Sequence, residues 1–126
     1  MKREIKFRGK RIDNKKWVYG FLADEDYIND IDSIDLSSIE VDIDTVCEFT
    51  GLLDKNGKEI YEGDILHTIT FGFEPEEYTA IILYDNCRFQ LSNGRNLFYF
   101  GQSDLTKMDD TIVIGNIYDN PELITP

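Results

Sequence analysis

The chain has 126 residues and a net charge of −12, from 25 acidic and 13 basic residues, and this length suits one ordinary folded domain. Its apolar share of 41% and aromatic share of 13% exclude a disordered acidic chain. No run approaches the roughly 20 apolar residues of a membrane-spanning helix, and no apolar stretch follows the basic start as in a signal peptide, so we expect a cytoplasmic protein.

The N-terminal part predicts a β-hairpin and then an acidic loop. A turn at residues 13–16 separates a short mixed segment from an aromatic run at 17–22, the pattern of two paired strands. Residues 24–38 are polar and acidic and are predicted as a loop. Three isoleucines recur there at every third position and alternatively fit one helical turn: Ile28, Ile31 and Ile34. Alternation at 39–44 then predicts a half-buried strand.

The run from Thr50 to Leu66 predicts a tight hairpin that leads into a buried strand. Asn56 and Gly57 both tolerate positive φ, which suits a type I′ turn or the left-handed corner of a longer loop. Gly51 and Gly63 mark points where a side chain would obstruct a bend. Asp64 is expected to accept backbone N–H bonds that hold the bend. The predicted turn motif is therefore Gly51, Asn56, Gly57, Gly63 and Asp64.

The C-terminal half predicts several more short strands. Alternating or β-prone runs lie at 64–71, 78–84, 87–91 and 111–117, with a short helical turn at 103–110. Many short strands at close spacing favour a small barrel or two packed sheets. The expected fold class is therefore all-β with minor α content.

Three blocks of the sequence resemble the YopX family of phage and prophage proteins. They are residues 3–11 with 17–20, residues 50–65, and residues 113–123, so the resemblance spans essentially the whole chain. One departure is Leu53, where the family more often has a basic residue.

The resemblance implies an SH3-like small β-barrel with an added N-terminal β-hairpin, self-association, and no assigned enzymatic activity. We therefore expect a single YopX-like domain. Within it, residues 1–50 form the hairpin and acidic loop, and residues 51–126 form the barrel core.

The residues offer weak candidates for chemistry. Glu59, Glu62 and Asp64 surround a glycine and could act as acid and base, but a role in the turn is favoured. His67 is the only histidine and has no evident Cys or Ser partner, so a strand role is favoured over a proton shuttle. The acidic residues at 24–32 lack the glycine and closing glutamate of a calcium loop. We expect no enzyme, no cofactor and no metal.

The two cysteines, Cys47 and Cys87, are far apart and lack metal-binding spacing. Two buried thiols in a reducing compartment are expected, and a disulfide between them is the alternative.

The charge is unevenly distributed. Residues 1–20 carry eight basic and two acidic residues, whereas residues 21–50 carry ten acidic residues and no basic one. The basic segment either neutralises the acidic one, or one of the two surfaces meets a partner. The aromatic run near residue 98 either stacks on bases or packs in the core and against another subunit. The candidate interaction surface comprises Asp24, Asp26, Asp30, Asp32, Phe98 and Phe100.

Three functional hypotheses follow. The first is a phage-encoded protein-interaction module that self-associates and contacts a host or phage protein. The second is an acidic mimic of nucleic acid that blocks a host DNA-binding enzyme. The third is a nucleic-acid-binding barrel that uses the basic arm at residues 2–16, and the overall acidity counts against it.

Overall fold

The structure is a computed structural model that describes residues 4–35, 37–69, 77–85, 88–92 and 111–124. Within these ranges the chain forms ten β-strands and two 3₁₀ turns of three residues each. The chain divides into two compact units, Met1–Phe49 and Thr50–Pro126.

The first unit is a curled antiparallel sheet with the strand order β4-β3-β2-β1-β5. Its strands are β1 (Phe7–Lys10), β2 (Trp17–Asp24), β3 (Tyr27–Asp30), β4 (Ser38–Glu40) and the start of β5 (Cys47–Leu53). The predicted N-terminal hairpin is confirmed, because β1 and β2 pair antiparallel. After β4 the chain returns to β1 through a bridge between Arg11 and Val41, so the sheet curls around its apolar side chains.

The core of the first unit forms where the backbone of β1 closely approaches the Val41 side chain. Val18, Ile28 and Val41 are buried together. A Cβ on Gly9 would lie 2.9 Å from the Val41 side chain, so the missing side chain leaves room for Val41. The curl therefore depends on a glycine on the inner face of β1.

The loop predicted for residues 24–38 is confirmed only on either side of a strand, and the alternative of a helical turn is wrong. The segment contains β3, which pairs with β2 on one side and with β4 on the other. Ile28 is fully buried, whereas Ile31 and Ile34 are exposed, the latter completely. The three isoleucines therefore share no face, and pairing with neighbouring strands overrides a locally polar sequence.

The strand predicted for residues 39–44 is shorter than expected. It ends at Glu40, and Ile43–Thr45 form a 3₁₀ turn. Asp42 caps this turn, because its Oδ1 accepts the N–H of Asp44 at 3.1 Å. Ile43 is half exposed. A local cap therefore ends the alternation that predicted a longer strand.

The second unit has a four-stranded antiparallel sheet with the order β10-β7-β8-β9. The four strands of this sheet are β7 (Asp64–Ile69), β8 (Glu77–Asp85), β9 (Arg88–Leu91) and β10 (Thr111–Asn116). The second unit also contains the end of β5 and β6 (Glu59–Tyr61). The second half of β5 pairs with β6. The core of this unit consists of Ile60, Leu66, Ala80, Ile82 and Leu91.

The fold is all-β, with two antiparallel sheets and almost no helix, as the alternation predicts. The strands in the described ranges do not close into a barrel. The helical turn predicted for residues 103–110 lies outside the described residues.

Candidate functional site

The turn after β5 is built around the carboxylate of Asp54, which is 2% exposed. Its Oδ1 accepts the N–H groups of Asn56 and Lys58 at 2.8 and 2.9 Å. Its Oδ2 accepts the N–H of Val113 at 3.0 Å. One side chain thus holds the turn closed and attaches it to β10, an edge strand of the four-stranded sheet.

The glycines of the predicted turn motif have left-handed backbones. Gly51, Gly57 and Gly63 have φ of 88°, 83° and 85°, whereas Asn56 does not have positive φ. A type I′ turn needs positive φ at both central residues, so the turn is the longer loop with Gly57 at its left-handed corner. The motif bends the backbone and exposes no reactive group at these positions.

The carboxylates around Gly63 differ in burial, because Glu59 and Glu62 are half-buried and Asp64 is 1% exposed. Asp64 Oδ2 accepts the N–H of Tyr61 at 2.7 Å. The Tyr61 hydroxyl donates to Glu59 Oε1 at 3.1 Å. Asp64 therefore supports the backbone at this bend, as the sequence predicts.

Of the four predicted acidic residues of the first unit, Asp24 ends β2 and Asp30 ends β3, and Asp26 and Asp32 lie in the turns on either side of β3. Asp24 and Asp32 are exposed, and Asp26 and Asp30 are half-buried. Asp24 Oδ1 accepts the N–H of Glu25 at 2.8 Å, and Asp30 Oδ1 accepts that of Asp32 at 2.9 Å. In the described part of the chain, none of the four forms an ion pair. Asp24 and Asp32 therefore face solvent, whereas Asp26 and Asp30 are partly covered.

Exposed apolar side chains accompany these carboxylates, which the sequence did not indicate. They belong to β2, β3 and the following turn, and they are Phe21, Leu22, Tyr27, Ile31 and Ile34. We call these five residues, together with Asp24, Asp26, Asp30 and Asp32, the acidic surface. Phe21 and Leu22 are neighbours on β2, so their side chains point to its two faces. Among the described residues, no group of three or more His, Cys, Asp or Glu is arranged to hold a metal ion.

The basic N-terminal segment is largely engaged by its own aromatic rings. Lys6 and Arg8 are 7% and 5% exposed. The Lys6 ammonium lies 5.0 Å from the Phe49 ring, and the Arg8 guanidinium lies 4.5 Å from the Trp17 ring. Lys10 also approaches Trp17, at 5.4 Å. Cation–π contacts of this kind hold the charges within the protein and leave fewer of them for phosphate groups.

Arg11 forms a two-bond ion pair with Asp13, with both N–H···O distances at 2.9 Å. This hydrogen bonding raises the pKa of Arg11 and lowers that of Asp13, and Asp30 adds a smaller charge attraction to Arg11. Arg11 is therefore paired mainly within the basic segment, with a smaller contribution from Asp30 of the acidic segment.

His67 lies on β7 beside two polar residues of β8. Its Nε2 is 2.8 Å from Glu77 Oε1, and its Nδ1 is 3.4 Å from Thr79 Oγ1. The order carboxylate, imidazole and hydroxyl is that of a nucleophilic triad, and the His67–Thr79 distance of 3.4 Å is longer than the roughly 2.6–3.2 Å of such hydrogen bonds. The Glu77 side chain is 66% exposed. The three side chains lie side by side on the paired strands β7 and β8. The sequence missed this row because its members lie on different strands.

Other predicted residues are placed as follows. Cys47 is buried, and its Sγ donates to the Thr45 carbonyl oxygen at 3.2 Å. Cys87, Phe98 and Phe100 lie outside the described residues. No helix in the described ranges is both long and apolar enough to cross a membrane.

The comparison with protein families identifies one family. The family model described as YopX protein matches residues 6–125. A solved structure described as the crystal structure of protein EF1440 from Enterococcus faecalis is similar to this chain, with 28% identity and a TM-score of 0.60. That similarity covers 98% of this chain and 100% of the other. A search of curated proteins finds no match.

Proposed function

This chain belongs to the YopX family, and we propose that it is a non-catalytic protein-interaction module. The acidic surface of the first unit is its contact site. The module works in the cytoplasm of a cell that carries the phage or prophage. Its partner presents basic side chains together with apolar ones.

The observation that carries this proposal is the mixture of exposed apolar side chains and solvent-facing carboxylates around β3. Phe21 and Leu22 are 45% and 40% exposed, and Tyr27 is 37% exposed. Exposed apolar groups with a polar rim are typical of protein contact sites. Burying them stabilises a complex by about 25 cal/mol per Å² of apolar surface. The carboxylates select a basic partner and increase the rate of association.

A second candidate function is the acidic mimic of nucleic acid. The absence of ion pairs for Asp24, Asp26, Asp30 and Asp32 among the described residues favours it, because such carboxylates can replace phosphates toward a basic enzyme. The two functions differ in salt dependence. A mimic loses affinity steeply as salt rises, whereas contact through Phe21 and Leu22 is less sensitive.

The third hypothesis, a nucleic-acid-binding barrel, has less support. Lys6 and Arg8 are buried against aromatic rings, so they are poor candidates for phosphate contacts. We therefore propose that the chain does not act by binding nucleic acid.

We also propose that residues 51–126 form an SH3-like barrel and that the chain self-associates. The many short antiparallel strands of the second unit support the barrel. Light scattering across a range of protein concentrations measures the mass in solution, and a monomer at every concentration would exclude self-association.

The test of the main proposal is affinity capture from phage-infected cells with identification by mass spectrometry. The variant combines Asp24→Asn, Asp32→Asn and Phe21→Ser. The control combines Glu4→Gln and Asp44→Asn, which removes the same charge at two exposed carboxylates outside the acidic surface. We expect the wild type and the control to capture the same protein and the variant to lose it. Equal capture by all three, or capture by none, contradicts the proposal.

A further inference from the structure

The turn between β5 and β6 contains an Asn-Gly pair whose chemistry the proposed function does not use. Asn56 and Gly57 are both exposed, and a Cβ built on Gly57 would meet no atom within 4 Å. Asparagine is one of the thermolabile residue types, and a following glycine leaves its own main-chain nitrogen unhindered because it has no side chain. The pair therefore has the composition and the exposure of a deamidation site.

Deamidation is an attack of the main chain on the asparagine side chain. The Gly57 nitrogen gives up its proton and forms a bond to Cγ of Asn56, and the Cγ–Nδ2 bond breaks as the amide nitrogen takes up a proton and leaves as ammonia. Water then opens the resulting succinimide ring at one of its two carbonyl groups. The product is either aspartate or isoaspartate, and in isoaspartate the main chain runs through Cβ and Cγ and is longer by one CH₂ group.

The folded turn holds the nitrogen that must attack. The Gly57 N–H donates to the Asp54 carbonyl oxygen at 3.0 Å, and the Asp54 N–H donates to the Lys58 carbonyl oxygen at 2.8 Å. Asp54 Oδ1 also accepts the N–H groups of Asn56 and Lys58. The attack needs the Gly57 nitrogen to lose the proton that it donates to Asp54, and it needs a main chain that is free to close the succinimide ring. The hydrogen bonds of Asp54 therefore oppose the reaction.

The turn is also fixed to β10, so it cannot open by itself. Asp54 Oδ2 accepts the Val113 N–H at 3.0 Å, and the Lys55 N–H donates to the Thr111 carbonyl oxygen at 2.8 Å. Thr111 is fully buried. Opening of the turn is thus a local unfolding event that breaks bonds to a strand of the sheet. A reaction that needs the open turn proceeds at the open-state rate multiplied by the fraction of molecules that are open.

We propose that Asn56 is a deamidation site that reacts from the open turn, that Asp54 protects it in the closed turn, and that the isoaspartate product keeps the turn open. The extra CH₂ group lies between Cα of residue 56 and the Gly57 nitrogen, so the N–H groups of Gly57 and Lys58 lose their common register with Asp54. The attachment of the turn to Val113 loosens as a result. The modification makes a transient opening permanent, water is its only co-reactant, and it does not depend on the acidic surface.

The first test compares the folded protein with two unprotected references in mildly alkaline buffer. The references are the chain unfolded in guanidinium chloride and the capped peptide acetyl-Leu-Asp-Lys-Asn-Gly-Lys-Glu-amide. Cleavage after glutamate at acidic pH releases residues 49–59 apart from the other Asn-Gly pair at 93–94, and mass spectrometry then follows the gain of about one dalton. The references are expected to react alike and the folded wild type at least about tenfold more slowly. A folded protein that reacts as fast as the peptide overturns the protection, and an unfolded chain that leaves Asn56 unmodified overturns the site.

Variants test whether Asp54 protects the pair through the turn. Asp54→Ala is expected to accelerate the reaction of the folded protein about tenfold and to speed exchange of the Gly57 amide by a similar factor. Two controls are expected to stay within about threefold of the wild-type rate. Asp44→Asn removes a charge elsewhere, and Ile82→Ala destabilises the core of the second unit outside the turn. Equal rates in Asp54→Ala and either control contradict protection by the turn. If Asp54→Ala does not fold, Asp54→Asn, which keeps one acceptor oxygen, replaces it with an expected severalfold acceleration.

The consequence of the modification is tested on its two products. Asn56→Asp has the aspartate product's sequence and an unchanged main-chain length, so its urea midpoint and its Val113 amide exchange are expected to stay close to those of the wild type. The isoaspartate protein, separated by chromatography after reaction of the unfolded chain and then refolded, is expected to have a lower midpoint and faster Val113 exchange. Equal midpoints and equal Val113 exchange in the two products overturn the claim that the longer main chain keeps the turn open.

Discussion

Replacing Asp54 with alanine removes one carboxylate that accepts three backbone N–H groups. Two of them, from Asn56 and Lys58, lie in the exposed turn, where water replaces part of the lost interaction. The third comes from Val113, which is half-buried and 59 residues away in sequence. The variant is therefore expected to loosen both the turn and its attachment to β10.

The expected loss follows from these three bonds. A hydrogen bond to a charged group contributes about 1.5–3 kcal/mol when it is shielded from water, and less when water can substitute. We take about 0.5–1 kcal/mol for each exposed donor and about 1.5 kcal/mol for Val113, which gives a loss near 3 kcal/mol. Asp54→Asn keeps one acceptor oxygen and places an NH₂ donor against an N–H donor, so its expected loss is about 1.5 kcal/mol.

Urea unfolding followed by circular dichroism measures these losses. Fluorescence of the single tryptophan, Trp17, is the second probe, because coincident transitions are required for a two-state free energy. With a slope of about 1.5 kcal/mol per molar urea, Asp54→Ala is expected to lower the midpoint by about 2 M. Hydrogen exchange of the Val113 amide is expected to accelerate in the same variant.

The matched control is Asp44→Asn, which neutralises an exposed aspartate in a 3₁₀ turn. Its expected effect is within about 0.5 kcal/mol of zero. If Asp54→Ala and Asp44→Asn have the same midpoint, and if Val113 exchange is unchanged, then the carboxylate does not hold the turn to β10 and the reasoning fails.

Two further predictions concern a pair of glycines and an ion pair. Gly20→Ala is expected to lower the free energy of unfolding by more than about 4 kcal/mol, because its Cβ would overlap the Asn29 carbonyl oxygen. In Gly57→Ala the added Cβ meets no atom within 4 Å, but the backbone keeps a φ of +83°, so the free energy of unfolding is expected to fall by about 1–2 kcal/mol. Equal melting temperatures of the two glycine variants would contradict the expectation that Gly20→Ala is the more destabilising. Asp13 is expected to titrate in NMR below its ordinary pKa of 3.8, and Arg11→Gln should return it toward that value. Because the folded pKa is lowered, the pair stabilises the fold above the unfolded pKa. This stabilisation is lost as the pH falls through the folded pKa.

The turn motif shows which features of the fold can be predicted from neighbouring residues alone. Glycine is the residue that adopts positive φ at no steric cost, so Gly51, Gly57 and Gly63 could be placed at bends from the sequence alone. Asp54 was missed as the organiser of the turn, because its third partner, Val113, becomes a neighbour only after β10 pairs with β7. A run such as Asp-x-Asn-Gly after a strand is the signal that could have indicated it.

The acidic surface shows which features could not be predicted from neighbouring residues. Its carboxylates were visible as a run of charge. Of the apolar side chains among them, Phe21 and Leu22 were assigned to a strand, but Tyr27, Ile31 and Ile34 were assigned to a loop. Burial of Ile28 depends on Val18 and Val41, ten residues before it and thirteen after it. No periodicity within residues 24–38 reports those contacts, so β3 could not be found from the segment itself.

The sequence by itself determined the all-β class, the positions of the bends and the family, because strand alternation and positive φ are properties of neighbouring residues. Only the tertiary structure decided that β3 pairs inside an acidic segment, that Lys6 and Arg8 lie against aromatic rings, and that Asp54 holds the turn to β10. These features depend on contacts between residues distant in sequence, and local sequence patterns do not predict the free energy of such contacts.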